Sequence, residues 1–447
     1  MSNDTANHSL ADDIYEKLVN EEDARACKAI PEEACREVPG NFLTTLLSLF
    51  LTKLGDALIN PKVTLPWIMQ ALGAPTWMLG WLVPIRESGS MLPQLAIASW
   101  VRRMAIRKWM WVLGSILQAI CVAAIALVSV TLSGASAGFA ILALLVLFSL
   151  ARGLSSVAVK DVLGKTIPKQ RRGSLTGWAD SAAGLITLVV ALLLISGFVG
   201  EGSLSLYAIG FACAAGMWLL AAGCYANIKE YPGEVDGGNN GLKVAFSRIS
   251  ILSTDAQFRH FVITRSLLLC SALSAPFIVV LAQQQSNVGV SLLALFMAAS
   301  GLASLISGPF WGRFADTSSR QVMVSAGLLT AGLGLTIFTL AFWAKSLLNP
   351  IWVLPTLYFV LSIAHQGVRL GRKTYVVNMA EGNKRTDYVS VSNTLIGAIL
   401  LLTGLISALE PWVGISGLIL ILSLMGLAGS WMAMSLPEVE KTNAEKD

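Results

Sequence analysis

Eight ionisable side chains stand inside long apolar runs of this 447-residue chain: Lys53, Asp56, Arg86, Glu87, Arg152, Asp180, Arg265 and His365. An ionised side chain in hydrocarbon costs at least about 2.5–3.5 kcal/mol, so each of them needs a partner, water or a task. Lys53 and Asp56 are spaced i, i+3, which places them on one helical face as a structural ion pair or as a proton or substrate site. Arg86 and Glu87 are adjacent and point about 100° apart, so each has to find its partner on another helix. Glu87 is the carboxylate best placed to carry a proton, unless an arginine pins it as a packing element. Arg152 and Asp180 lie at similar depth in consecutive runs and are expected to pair, as a static clamp or as a relay. His365 suits proton carriage by its near-neutral reference pKa, and equally suits a neutral ring bonded to a neighbouring helix.

The chemistry these residues imply is binding and proton movement, with no catalysis. The chain holds no GxSxG, HExxH or P-loop motif and no His–carboxylate pair in its loops. Six scattered cysteines lack metal-ligand spacing, so no metal, cofactor or disulfide is expected.

Composition says what positions these side chains. Only 13% of residues are charged, 55% are hydrophobic, and the mean hydropathy is +0.67. Soluble domains run nearer a quarter charged, so the medium is a lipid bilayer. Twelve apolar spans follow from Phe42, at about 42–59, 76–98, 109–132, 137–157, 175–199, 203–226, 260–283, 290–311, 322–344, 351–368, 388–409 and 412–435. Backbone groups in lipid must bond within their own segment, so these spans are helices.

The organisation expected is an acidic tail (1–40), a first six-helix bundle (41–226), a linker (227–258), a second six-helix bundle (259–436) and a short tail (437–447). The first tail holds ten acids against four bases and is no secretory signal. The linker carries a Gly/Asn break at Asp236–Gly241, followed by Leu242, Phe246 and Ile249 at the spacing of an interfacial helix, or of a plain linker. A shift of 213 positions superposes Arg107 on Arg320, Lys160 on Lys373, Arg172 on Arg385 and Gly184 on Gly397, and sets Asp180 opposite Asn393 and Arg152 opposite His365. The same shift brings Arg265 within one place of Lys53. The bundles are therefore read as pseudo-symmetric repeats.

Three segments then carry a resemblance: Gly312-Arg-Phe-Ala-Asp316-Thr-Ser-Ser-Arg320, Arg152-Gly153, and Asp161 through Gly173 with Gly177. With the twelve spans, they resemble the major facilitator superfamily over residues 41–436. The resemblance implies a central cavity lined by spans 1, 4, 7 and 10, where most of the charges fall. It also implies a gate formed by Gly312, Asp316 and Arg320 that holds the cytoplasmic side closed. The first-half counterpart of that loop has Arg103 where the acid should be, and span 5 lacks the Gly-Pro signature of many drug–proton antiporters.

The expected protein is an all-α, multi-pass membrane protein: a secondary transporter of a small solute working by alternating access, proton-coupled, monomeric, and without nucleic-acid partners. A one-charge cationic excess in the cavity spans points to an organic anion or zwitterion. The alternatives are a multidrug or metabolite efflux pump, or a non-transporting sensor or lipid scramblase on the same fold.

Sixteen Lys and Arg sit in loops on one side against two, Lys62 and Lys345, on the other. Positive loops stay inside, so both termini and the 227–258 loop are expected on the cytoplasmic face of a bacterial inner membrane. Membrane-impermeant thiol labelling should reach a cysteine at Ser133 from outside and one at Asn239 only from inside; the reverse pattern overturns this topology.

Overall fold

The structure, a computed structural model, describes residues 37–101, 103–168, 171–196, 204–233, 235, 249–285, 289–379 and 382–440. The acidic tail to residue 36, the Asp236–Gly241 break, most of the expected interfacial helix and the last seven residues lie outside the described residues. All regular structure among the described residues is helical.

Twelve spans cross in sequence. Span 1 is Val38–Leu58 continued by Thr64–Ala71, and span 2 is built from Thr76–Leu79, Leu82–Met91 and Gln94–Val101. Spans 3 to 6 are Lys108–Thr131, Gly134–Thr166, Arg172–Ile195 and Leu204–Ala226. Span 7 joins Ala256–Leu267 to Cys270–Gln285; spans 8, 9 and 10 are Val290–Thr317, Ser319–Trp343 and Val353–Asn378. Span 11, Gly382–Thr403, reaches span 12, Glu410–Met434, through a 3-10 turn at Gly404–Leu409.

Among the described residues, eight helical stretches are long and apolar enough to cross a membrane, and one of them, Tyr388–Met434, runs through spans 11 and 12 together. Spans 1, 2 and 10 fail that test. Spans 1 and 2 are broken into shorter helices, and span 10 carries Arg369, Arg372 and Lys373.

Several span ends differ from the sequence expectation: span 4 runs to Thr166 and takes Lys160 into the helix, and spans 1 and 10 change more. Span 1 does not end at 59. Pro61 removes a backbone donor and disfavours helix at Asn60, so the helix breaks at Ile59–Val63 and resumes at Thr64. Asn60 holds the break by accepting from the Lys62 backbone N–H at 2.9 Å with its side chain and from Leu65 N–H at 3.0 Å with its carbonyl. Lys62 is thereby part of a broken span and not of an outer loop. Span 10 runs ten residues past 368, which moves Arg369, Arg372 and Lys373 from a loop into a helix.

Packing divides by depth. At the end away from the termini, one continuous apolar core includes Ile68, Leu79, Ile125 and Leu145 of the first bundle and Leu273, Phe296, Tyr358 and Ile419 of the second. At the end bearing the termini, the cores are separate: Phe258, Trp311, Tyr375 and Val391 in the second bundle, Trp111, Val162 and Tyr225 in the first. The bundles are joined at one end and parted at the other. Small residues allow a close approach of the bundles, where a Cβ at Gly301 of span 8 would lie 3.3 Å from the Gly184 carbonyl of span 5.

Within the second bundle, Gly367 packs on Trp311, whose indole N–H donates to the Ile363 carbonyl at 2.8 Å. A Cβ at Gly367 would fall 2.6 Å from the indole ring. Because the ring is anchored, Gly367→Ala should cost about 1–3 kcal/mol by overpacking, read as a lowered unfolding temperature in detergent; an unchanged transition would show that the contact relaxes freely.

Candidate functional site

The parted ends enclose a central chamber at mid-membrane. It comprises two adjoining lobes of about 750 and 740 Å³ that share Asp56, Asn60, Arg152, Ser300, Ser304, Gln366, Arg369 and Lys373. Spans 1, 2, 4, 5, 7, 8, 10 and 11 contribute to the walls. That volume lies in the range of small-molecule sites. All eight residues singled out from the sequence face these two lobes. The periodicity of a buried helix does not reveal a partner, however, and the pairs differ from those expected.

On the first-bundle side, Asp56 is bracketed by two arginines. Its Oδ1 lies 2.8 Å from an Arg86 guanidinium nitrogen and its Oδ2 2.5 Å from one of Arg152. This ties spans 1, 2 and 4 together, and Arg86 also stacks over the Phe148 ring at 4.8 Å. Lys53 does not pair with Asp56, nor Arg152 with Asp180. Lys53 instead forms an ion pair with Asp180 across spans 1 and 5. The i, i+3 spacing permitted the first pairing, but a carboxylate between two arginine forks gains more than one beside a single ammonium. Glu87 makes no direct ion pair among the described residues; the charges around it are Lys62, Arg369, Arg372 and Arg86.

The second-bundle side is different in kind. Arg265, buried to 5% exposure, donates to Ser392 Oγ at 2.8 Å and to Asn393 Oδ1 at 2.9 Å, both neutral acceptors. Its Nε has no hydrogen-bond partner, and neither does the buried Nε of Arg372. The Lys53–Asp180 pair thus has a pseudo-symmetric counterpart in Arg265–Asn393, with the acid replaced by an amide. Arg369 and Lys373 point into the open chamber. Among the described residues, no carboxylate of spans 7 to 12 lines either lobe.

The two bundles meet at the inner end of the chamber through Lys62 and His365. The Lys62 ammonium lies 2.8 Å from His365 Nε2, whose Nδ1 is 3.1 Å from Ser271 Oγ. Sequence reasoning placed Lys62 in an outer loop and the arginines after 368 outside the membrane. The Asn60-Pro61 dipeptide was the available signal for the former, and the i, i+3, i+4 spacing of Arg369, Arg372 and Lys373 was the signal for the latter.

The expected gate residues separate. Arg320 pairs with Glu438 at 2.8 Å and bonds the carbonyls of Met434 and Leu436, while Ser318 Oγ donates to Glu438 at 2.7 Å. Asp316 is exposed at the end of span 8 and Gly312 is partly exposed one turn earlier. Arg320 therefore fastens span 9 to the segment after span 12. The first bundle has a matching fastening: Glu230, after span 6, accepts from the backbone of Arg107 and Lys108 and from Lys165 at 2.8 Å. A carboxylate thereby caps the N-terminus of span 3, where helix dipole and free N–H groups favour it.

A two-bundle, twelve-span helical protein with a charged chamber at mid-membrane has the architecture of a membrane transporter. Residues 266–447 match the family model described as Major Facilitator Superfamily. The chain as a whole has the major facilitator fold. It superposes on the xylose transporter XylE from E. coli in its inward open conformation with a TM-score of 0.65 and 12% identity, covering 91% of this chain and 99% of that one. A POT family transporter in complex with a thioalcohol-conjugated peptide gives a TM-score of 0.67 at 12% identity, over 92% of this chain and 98% of that one. The nucleoside transporter NupG gives 0.67 at 13%, over 89% and 99%. No curated protein sequence matches the chain.

The two acid sites should differ in structural weight. Asp56→Asn leaves two partly buried arginines facing each other and should lower stability by about 1–3 kcal/mol. Asp180, whose side chain is 65% exposed, should cost less than about 1 kcal/mol when changed to Asn. Unfolding temperatures of the two variants in one detergent check the order; equal losses contradict it.

Proposed function

We propose that this protein is a secondary carrier that moves a small organic anion across a cytoplasmic membrane by alternating access. In this reading both termini and the parted ends of the bundles face the cytoplasm, so the structure is an inward-facing state. The chamber is the substrate site. The observation that carries the proposal is the second-bundle wall: Arg265, Arg369, Arg372 and Lys373, with no carboxylate among the described residues of their own bundle. Arginine forks match carboxylate and phosphate oxygens in geometry as well as charge. A lipophilic cation entering this chamber would meet repulsion from that wall, which disfavours the drug-efflux alternative.

The continuous core at the far end and the parted cores at the near end support rocking of one bundle against the other, with Gly184 and Gly301 as the close contact about which it turns. Glu87 is the candidate for coupling to protons, because it is the chamber carboxylate without a direct cationic partner among the described residues.

Counterflow in proteoliposomes tests the proposal. Uptake of a labelled organic anion should be stimulated by the same anion inside, and Arg265→Ala should weaken its apparent affinity by about tenfold or more, the loss of one charge-assisted contact. A sensor or scramblase shows no such stimulation. Binding of cationic dyes alone, unaffected by Arg265→Ala, returns the protein to the efflux class.

A further inference from the structure

The deeper lobe is lined by eight Lys and Arg against two carboxylates. Asp56 is already taken up by Arg86 and Arg152. Around Glu87 this leaves Lys62, Lys160, Arg265, Arg369, Arg372 and Lys373. In the open state, water solvates the exposed members, Lys160, Arg369 and Lys373. Alternating access must pass through a state closed at both ends, and closure removes that water.

Charges of one sign sealed in a low-dielectric space repel strongly, and no carboxylate among the described residues of the second bundle lines the chamber to neutralise them. Arg265 and Arg372 already carry buried Nε donors without acceptors. A monoanion offsets one charge; an anion of two or more charges, with several oxygens, offsets more and supplies acceptors for the unused donors. Resting on the anion-carrier reading above, we infer that the protein is an obligatory exchanger of multiply charged small anions, in which the loaded chamber closes and the unloaded one does not. The recognised chemistry is a dianionic or trianionic oxyanion group, as in a phosphate monoester or a polycarboxylate. Net transport then requires an anion to return on every cycle.

The test uses the purified full chain in proteoliposomes with the membrane potential clamped, and four labelled probes: inorganic phosphate, glycerol phosphate, succinate and citrate. For at least one probe, uptake into vesicles loaded with that anion should exceed uptake into unloaded vesicles by about tenfold or more, the signature of a slow unloaded return. Preference for the two phosphates over the two carboxylates, or the reverse, assigns the source of the oxyanion. Equal uptake into loaded and unloaded vesicles, with or without a pH difference, overturns obligatory exchange and leaves the anion carrier standing. No uptake of any probe in either arm, by protein that unfolds cooperatively, overturns both.

A double variant, Arg372→Gln with Lys373→Gln, removes two of the excess charges. It should bring the exchange-to-net ratio down severalfold by letting the unloaded chamber close, and Arg372→Lys with Lys373→Arg should keep the ratio high. Misfolding would lower both fluxes together, so an unchanged ratio in the neutralised variant counts against the inference.

Discussion

A cation in hydrocarbon has to be answered by an anion, by water or by a ligand, and the layout of this protein follows from which answer each bundle gives. The first bundle answers internally: Asp56 bridges Arg86 and Arg152, and Asp180 meets Lys53. Its helices can close around those groups without outside help. The second bundle offers Arg265 only a serine and an asparagine and sets Arg369, Arg372 and Lys373 around the chamber. The first wall pairs cations with its own carboxylates, whereas the described residues of the second line the chamber with cations and no carboxylate.

That asymmetry is laid over a symmetric frame. Lys53–Asp180 and Arg265–Asn393 occupy corresponding places, as do Arg152 and His365. In each bundle carboxylates following the sixth span hold the start of the third and grip a basic side chain: Glu230 accepts from the backbone of Arg107 and Lys108 and from Lys165, while Glu440 accepts from the Ser319 N–H and Glu438 pairs with Arg320. The structural fastenings kept their acids in both halves. The chamber kept them in one. The two halves therefore present different chemistry to the chamber between them.

The breaks in the helices serve the same end. Span 1 gives up regular helix at Ile59–Val63, and the cost of unpaired backbone is met by the Asn60 side chain. In return Lys62 reaches across to His365 of span 10, the polar contact between bundles at the inner end of the chamber. Irregular backbone at this depth is tolerated because it lines a polar space and not lipid.

Much of this was legible in the residues themselves. Apolar runs long enough to span a bilayer, with no alternative way to satisfy their backbone, determine twelve helices. The shift of 213 determines two related bundles, and eight charges in apolar surroundings mark the chamber. The sequence could not say which charges meet, because Lys53 and Asp56 share a helical face whether or not they touch, and only the approach of spans 2, 4 and 5 turns Asp56 to the arginines and Lys53 to Asp180. It also misplaced Lys62, Arg369, Arg372 and Lys373, since hydropathy assigns a charge-rich stretch to a loop. Tertiary structure places them in the membrane because a water-filled chamber bounded by eight spans makes the interior of the fold polar, and no single segment encodes that environment.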